Sequence, residues 1–478
     1  MIRAAGRRAS RIIPVLALLL PIAVILLHAG LIPAGNWRGD EYYHFAMLKE
    51  YGSRYLIDRL LTWSPRPISE GFLYLYYELV TLARRPLVTP FLLVFWAMLV
   101  LGSVCGFCPT RRSLPRCATI PLSVVAMFLL RHPIDELFYW PMGAAAYLAA
   151  LSALTFLTFL VVRGGPATSR GRLAGLAAML VAEGSAEIGA IFVCCFAPLL
   201  LCLEGMAMPR AAWRRPMALA RNTAWLVVPL AAGLYLLHLL LLGRVTKASE
   251  AQPGASASLY HHIGPSILAA AQQFGSELTG SANLSVSVGL FFAGLALAMR
   301  QSLPGAVSRR QLAVLAAAFC ITAYLSIAAA DYQFGVLCCE RHTTFRQCAL
   351  VLAIVALARL AADLDWGWRL RAGVAAIAGP VLVALSLSIL SAARMPALVA
   401  DYRAVPAMTE TRRENWSSGF DKRSPAMLFA LPPLGRIVGG LGWPTGDYAL
   451  SEHPPWNILG ILQFFGKQQL QVVQAPSR

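Results

Sequence analysis

Long apolar runs separated by short polar stretches are the dominant pattern of this chain. A run of roughly 17–25 apolar residues lets a helix cross the hydrocarbon core of a bilayer, and shorter runs serve where helices pair inside a bundle. The segments of this kind are Ile12–Ile32, Leu87–Phe107, Ala118–Leu130, Leu137–Val162, Leu173–Val181, Ile188–Leu203, Thr223–Leu242, Leu284–Met299, Leu312–Ala330, Phe345–Leu360 and Ala372–Leu390. The pattern predicts an all-α polytopic membrane protein with about 11 transmembrane helices, within a range of roughly 10–13.

Arginine is distributed unevenly between the two ends of these segments, which predicts the orientation. Arg3, Arg7, Arg8 and Arg11 precede the first segment, and the other arginine-rich short loops fall on the same side. Cytoplasmic loops carry an excess of Lys and Arg. The N-terminus is therefore predicted to be cytoplasmic, and an odd number of spans places the C-terminus outside. The arginine- and alanine-rich composition is typical of a GC-rich bacterial genome, which indicates a bacterial inner membrane.

Two stretches do not fit the spanning pattern. Within the first outer loop, residues 33–86, the short Tyr-rich segment Gly71–Ala83 carries Glu78 and is predicted to lie as an interfacial helix. Residues 395–478 are too polar to span and are predicted to form a small extracytoplasmic region after a transmembrane domain of residues 1–394.

Composition supports a membrane protein and narrows its partners. Of 478 residues, 58% are hydrophobic and 13% charged, with a mean hydropathy of +0.62. The net charge of +18 lies in short loops and forms no continuous basic face, so membrane lipid is an expected partner and nucleic acid is not. The ten cysteines lie mostly in or beside apolar runs as packing residues, and no zinc-ligand spacing accompanies them. No cofactor is predicted, and a divalent metal is possible only where carboxylates converge.

An acidic pair, Asp40-Glu41, follows the first apolar segment at the predicted outer interface. Apolar residues then recur at helical spacing, namely Tyr42, Phe45, Leu48 and Tyr51. The spacing predicts a short amphipathic helix on the membrane with Asp40 as its N-cap, which would keep the carboxylate charged and available as a base. The alternative is that Asp40 only caps this helix.

The predicted outer face collects further polar residues. They are Asp135, Glu136, Glu183, Glu187, Arg341, His342 and Arg346. Ionisable groups at membrane depth are costly and therefore candidates for function. An arginine at the outer end of a span runs against the positive-inside trend, and its planar fork suits a phosphate. The alternatives are that the arginines are counter-ions of the carboxylates, and that Glu183 and Glu187 pair with arginines for structure.

Several short motifs resemble the glycosyltransferase C superfamily. GlyAspGluTyrTyrHisPheAla, at 39–46, is similar to the Asp-Glu motif of protein O-mannosyltransferases. The islands that resemble uncharacterised bacterial polytopic members of the superfamily are TrpSerProArg at 63–66, PheTyrTrpProMetGly at 138–143 with Tyr147, the Glu187 turn, and the stretch 452–466. The chain departs from the bacterial pattern at two places. Glu41 stands where that pattern has a second Asp, and Pro65 lies in the stretch that corresponds to its Trp-x-Gly-Arg motif.

The resemblance implies an enzyme that moves a sugar from a polyprenyl-phosphate donor, with inversion, to a glycan, lipid or protein acceptor on the outer face. It implies Asp40 as the base, with Glu41 orienting Asp40 or the acceptor. Arg341, with Arg346 second, would hold the phosphate. The supporting substrate-binding candidates are Asp135, Glu136, Glu187, His342 and Tyr147.

The main alternative is a polytopic transporter or lipid flippase, and another is a structural scaffold. A transporter should carry ionisable residues near the bilayer midplane and two related halves. Here the charges gather at one interface. A scaffold explains the apolar segments but gives no reason for clustered outer carboxylates and arginines, so a glycosyltransferase is the expected function.

Overall fold

The computed structural model describes residues 17–108, 117–207, 216–251, 263–279, 282–303, 307–334, 339–364, 372–433, 435–439 and 444–474. The helices, in chain order, are α1 (Ala17–Ala34), α2 (Gly39–Tyr51), α3 (Ser53–Thr62), α4 (Pro67–Ala83), α5 (Val88–Phe107), α6 (Thr119–Leu130), α7 (Asp135–Phe138), α8 (Pro141–Val162), α9 (Ser169–Ser185), α10 (Glu187–Ala207), α11 (Pro216–Ala251), α12 (Ile263–Thr279), α13 (Ala282–Ser302), α14 (Arg309–Phe334), α15 (Glu340–Ala362), α16 (Ala372–Phe420) and α17 (Trp456–Phe465).

Among the described residues, nine helices are long and apolar enough to cross a membrane, which confirms a multi-pass helical protein. They are α1, α5, α8, α10, α11, α13, α14, α15 and α16. The predicted spans Ala118–Leu130 and Leu173–Val181 fall in α6 and α9, which have only 12 and 17 residues. At about 1.5 Å per residue, α6 reaches only about 18 Å and cannot cross the hydrocarbon core alone.

The centre of the bundle is α8, since 94% of its most apolar window is buried inside the protein. It packs against α5 and α9, and alanines 144–146 let neighbouring backbones approach. Small residues also set the contact of α13 with α16, where a Cβ on Gly294 would lie 2.8 Å from the Val383 backbone nitrogen. Close approach at small residues is the usual way that helices associate in a bilayer.

The predicted first outer loop forms the three consecutive helices α2, α3 and α4 between the first two spans. Gly52, with φ of 58°, allows the sharp turn from α2 to α3. The segment Gly71–Ala83 lies within α4, whose 17 residues place it outside the candidate spans. Whether these helices lie on the membrane surface stays a prediction.

The C-terminal region is joined to the bundle more closely than the predicted division at residue 394 indicates. That boundary falls inside α16, which continues without a break to Phe420. The Tyr402 hydroxyl donates to the Leu27 carbonyl at 2.6 Å, and the Arg412 guanidinium donates to the Gly35 carbonyl. Both contacts fix α16 to the end of α1 that leads to Asp40.

After α16 the chain forms a small sheet that the apolar pattern did not predict. Strands β1 (Ala426–Leu431), β2 (Tyr448–Ala449) and β3 (Gln469–Gln474) lie in the order β1-β3-β2. β1 and β3 are parallel and β2 is antiparallel to β3. Helix α17 precedes β3 and packs on α2, where a Cβ on Gly460 would lie 2.5 Å from the Tyr43 backbone nitrogen. The C-terminal region therefore packs directly against the helix that carries Asp40.

Candidate functional site

The start of α2 differs from the prediction in one respect. Arg38 is the N-cap, and its backbone N–H donates to Glu41 Oε2 at 2.9 Å. A glutamate at the third helical position that accepts the N–H of the cap residue is a recurrent way to close a helix start. Asp40, predicted to be the N-cap, lies instead in the first turn. Its carboxylate is therefore not used in capping.

Glu41 connects the first outer loop to the start of α8. Its side chain is fully buried, and Oε1 accepts the backbone N–H of Met142 at 3.1 Å. Burial raises the pKa of Glu41 to about 7, while the Trp140 side chain and the two backbone N–H groups favour its charged form. Glu41 thus joins the two segments, and its predicted role in orienting Asp40 or the acceptor stays a prediction.

Arg38 ties the acidic pair Asp135-Glu136 of α7 to α2. Its guanidinium donates to Glu136 Oε1 at 2.9 Å and also to an Asp135 carboxylate oxygen. All three side chains are buried. Burial raises the pKa of Asp135 to about 7, and the positive charge of Arg38 opposes this rise. Asp135 and Glu136 are therefore occupied in fixing an arginine.

Arg341, at the start of α15, joins the same group. Its backbone N–H donates to Glu136 Oε2 at 2.9 Å, and its Nη1 lies 3.7 Å from the same oxygen. Its guanidinium carbon lies 5.2 Å from the centre of the Trp140 ring and 5.9 Å from that of Tyr147, while that of Arg38 lies 5.1 Å from Trp140. Cation–π attraction thus helps to position both arginines around one indole. The Arg341 side chain keeps 24% of its surface exposed.

Asp40 is half-buried at this group, and its carboxylate forms no hydrogen bond or ion pair within the described ranges. Burial raises the pKa of Asp40. The strongest opposing effect is the positive charge of Arg341, followed by those of Arg59 and Arg38, while Glu136 adds to the rise. We call Asp40, Glu41, Arg38, Asp135, Glu136 and Arg341 the Asp40 cluster. The structure thus brings Asp40 and Arg341 into one electrostatic environment.

A second polar group centres on Glu187, at the start of α10. Glu187 Oε1 accepts the Tyr147 hydroxyl at 2.9 Å, and Oε2 lies 3.4 Å from Arg66 Nη1. His342 Nε2 lies 2.9 Å from the Tyr147 oxygen and 3.6 Å from Glu187 Oε1. Tyr147 also lies under Arg341, so the two groups are adjacent. Glu187 thus has the arginine partner that the structural alternative predicts.

Arg346, predicted to be the second phosphate ligand, is paired with a carboxylate in the structure, and its predicted role stays a prediction. Its guanidinium donates to both carboxylate oxygens of Glu277 on α12, at 2.7 and 3.4 Å, and the side chain is buried. An arginine whose fork is already matched to a carboxylate has few donors left for a phosphate. Arg341 therefore remains the better candidate.

Glu183 has no arginine partner within the part of the chain that the structure describes. Both of its carboxylate oxygens are buried without a hydrogen bond, and a Cβ on Gly233 would lie 2.8 Å from Oε2. The structural alternative, in which Glu183 pairs with an arginine, is not met there. Cys339, interpreted from the sequence as a packing residue, is disulfide-bonded directly before α15.

Sequence reasoning missed several residues that the structure places here. Arg38 precedes the acidic pair Asp40-Glu41, and its position at the predicted outer end of the first span was a signal of the same kind as Arg341. Arg59 Nε donates to both oxygens of Glu70 at 3.0 Å, with His44 3.8 Å from that carboxylate. Burial and the charge of Arg59 lower the pKa of His44 to about 3, so this imidazole is neutral.

In the described ranges, no group of three or more His, Cys, Asp and Glu residues is arranged to hold a metal ion. No family model, curated protein or solved structure matches the chain. The site is therefore interpreted from its own geometry and chemistry.

Proposed function

We propose that this protein is a membrane glycosyltransferase of the glycosyltransferase C type, acting at the outer face of a bacterial inner membrane. The observation that carries this proposal is that Asp40, a carboxylate without a hydrogen bond or ion pair among the described residues, lies within the electrostatic influence of the partly exposed guanidinium of Arg341, beyond the ends of apolar spans. A polyprenyl-phosphate donor requires a base for the acceptor hydroxyl and a cation for the phosphate that leaves.

The proposed reaction is a single inverting displacement. The acceptor hydroxyl oxygen attacks the anomeric carbon of the donor sugar, and the bond from that carbon to the phosphate oxygen breaks. Asp40 takes the hydroxyl proton, and the electron pair of the broken bond stays on polyprenyl phosphate. The raised pKa of Asp40 brings it closer to working pH and strengthens it as a base.

Arg341 stabilises the negative charge that develops on the leaving phosphate. Its exposed donors remain available because Glu136 contacts it mainly through the backbone N–H, with Nη1 at the longer distance of 3.7 Å. Preorganised donors aimed at developing charge commonly supply a large part of catalysis. Arg38, Asp135 and Glu136 hold Arg341 at this place, and Glu41 fixes the first turn that presents Asp40.

The Glu187 group lies next to Arg341 and supplies the polar surface for a sugar. Glu187, Tyr147 and His342 offer carboxylate, hydroxyl and ring-nitrogen atoms that pair with sugar hydroxyls. The exposed apolar residues of α3, Ile57 and Leu61, provide a surface for the polyprenyl chain.

The test is sugar transfer by Asp40→Asn with a panel of polyprenyl-phosphate sugars. Removing a general base lowers reaction rates by about 10²–10⁴-fold, so the rate of sugar transfer should fall by at least about 10²-fold. The matched control is Asp58→Asn, an exposed aspartate on α3, which should keep wild-type activity. Undiminished transfer by Asp40→Asn would refute the assignment of the base.

A polytopic transporter or lipid flippase is the second candidate, favoured by Glu183. An unpaired carboxyl buried between helices is what a transport pathway contains. Reconstituted in proteoliposomes, a transporter or flippase would carry its substrate or lipid across the membrane without a donor sugar. The Glu183→Gln variant would then lose this transport. A glycosyltransferase would show donor-dependent product and no flux.

A further inference from the structure

A cavity of about 760 Å³ lies between the end of the first outer loop and the last part of α16. Its lining combines four arginines with two aromatic rings, and no residue of the Asp40 cluster takes part in it. These residues are Arg84, Arg85, Arg412, Arg413, Trp416 and Phe420. We propose that this arginine cavity binds a phosphate group, supplied by the headgroup of an anionic membrane lipid.

Positive charge in the arginine cavity exceeds the negative charge around it. Asp421 is the acidic residue of the lining, and the exposed Arg413 is paired with Glu410 at 2.5 Å. Arg84 and Arg85 are exposed, and neither forms an ion pair within the described residues. Among the described residues, Arg412 donates only to a neutral carbonyl, that of Gly35. Several guanidinium groups therefore remain for an anion, and their planar forks match phosphate oxygens.

The turn that carries the two loop arginines contains two residues in an unfavourable backbone conformation. Arg84 has φ of 50° and Leu87 has φ of 38°, values that residues other than glycine rarely adopt. The Tyr76 hydroxyl donates to the Pro86 carbonyl between them and fixes the turn. Such backbone strain persists only where surrounding contacts enforce it, and it clusters at ligand sites.

The position of the arginine cavity along the bundle favours a lipid over a soluble anion. Arg84 and Arg85 lie in the short turn before the span α5, which begins at Val88, and Arg412 contacts Gly35, the residue after α1. The cavity therefore lies at the ends of apolar spans, at the depth where lipid headgroups lie. The exposed face of Phe420 offers an apolar surface beside the charges. The volume of the arginine cavity is also within the range of about 300–1,000 Å³ typical of ligand pockets.

The predicted orientation adds an independent argument. The arginine cavity lies at the Asp40 end of the bundle, where the positive-inside rule leaves few basic residues. Arginines at that end therefore do not serve membrane insertion. This proposal does not rest on the proposed enzymatic function, since it uses none of the residues of the Asp40 cluster.

The test compares two double variants of the purified full-length protein in detergent. Arg84→Gln with Arg85→Gln removes two charges from the cavity. The control, Arg54→Gln with Arg403→Gln, removes two exposed charges elsewhere, on α3 and α16. Native mass spectrometry counts the bound lipid during titration with phosphatidylglycerol and, separately, with phosphatidylcholine. Inorganic phosphate is then added as a competitor.

We expect wild type and the control to bind one phosphatidylglycerol in preference to phosphatidylcholine. The Arg84/Arg85 variant should bind it roughly tenfold more weakly or worse. If millimolar inorganic phosphate displaces the lipid from wild type, and the Arg84/Arg85 variant has lost phosphate binding as well, the cavity is a phosphate site whose ligand comes from solution. Equal phosphatidylglycerol binding by the two double variants would overturn the proposal. It would also be overturned if wild type binds both lipids equally and inorganic phosphate displaces neither.

Discussion

Asp40 and Glu41 are neighbours in the sequence, but they lie in different surroundings. Asp40 is half-buried without a hydrogen-bond partner in the described structure, whereas Glu41 is fully buried and accepts two backbone N–H groups. Two adjacent carboxyl groups with different environments can take different roles. This difference supports the proposed role of Asp40 as the base and indicates a structural role for Glu41.

Glu41 makes stability depend on pH in a defined direction. Its pKa is raised from 4.5 to about 7 in the folded state, so between these values the folded protein binds more protons than the unfolded chain. Stability should therefore fall as pH rises through this window. In Glu41→Gln this decline should be shallower, and the part due to Asp135, whose pKa is also about 7, should remain. Thermal unfolding in detergent between pH 4.5 and 7 measures both slopes.

The same variant should be less stable than wild type at neutral pH. Glutamine offers one acceptor oxygen in place of two, so either the Arg38 or the Met142 backbone N–H is left without a partner. A buried donor without an acceptor costs about 1–3 kcal/mol. Identical slopes and midpoints in Glu41→Gln and wild type would contradict the structural role of Glu41.

At the scale of elements, the close packing of α17 on α2 holds the C-terminal region against the helix that carries Asp40. Gly460→Ala places a Cβ about 2.5 Å from the Tyr43 backbone nitrogen, so one of the two helices must shift. Overpacking of this kind costs about 1–3 kcal/mol. We expect faster hydrogen exchange in α2 and α17, measured by mass spectrometry.

The matched control for this variant is Gly446→Ala in the same region, where a Cβ meets open space and the backbone does not require glycine. It should leave exchange in both helices unchanged. Equal protection of α2 in the two variants would show that α17 does not stabilise the Asp40 helix.

The whole molecule is predicted to have its N-terminus in the cytoplasm and its C-terminus outside. Reporter fusions test this orientation, since alkaline phosphatase is active only outside and green fluorescent protein fluoresces only inside. We expect phosphatase activity from a fusion after residue 478 and fluorescence from a fusion at residue 1. A fluorescent C-terminal fusion would place the Asp40 cluster on the cytoplasmic side, since the C-terminal region packs on α2. That result would contradict the proposed reaction at the extracytoplasmic face.

The sequence by itself determined the helical membrane class, since the length and apolarity of each span are local properties. It also placed an acidic pair after the first span and an arginine at the start of α15. It could not predict that Arg38 meets Glu136, 98 residues away, or that the Arg341 backbone meets the same carboxylate from 205 residues away. Only the tertiary structure decided which carboxylates are occupied and which is available, because burial and pairing depend on how distant helices pack.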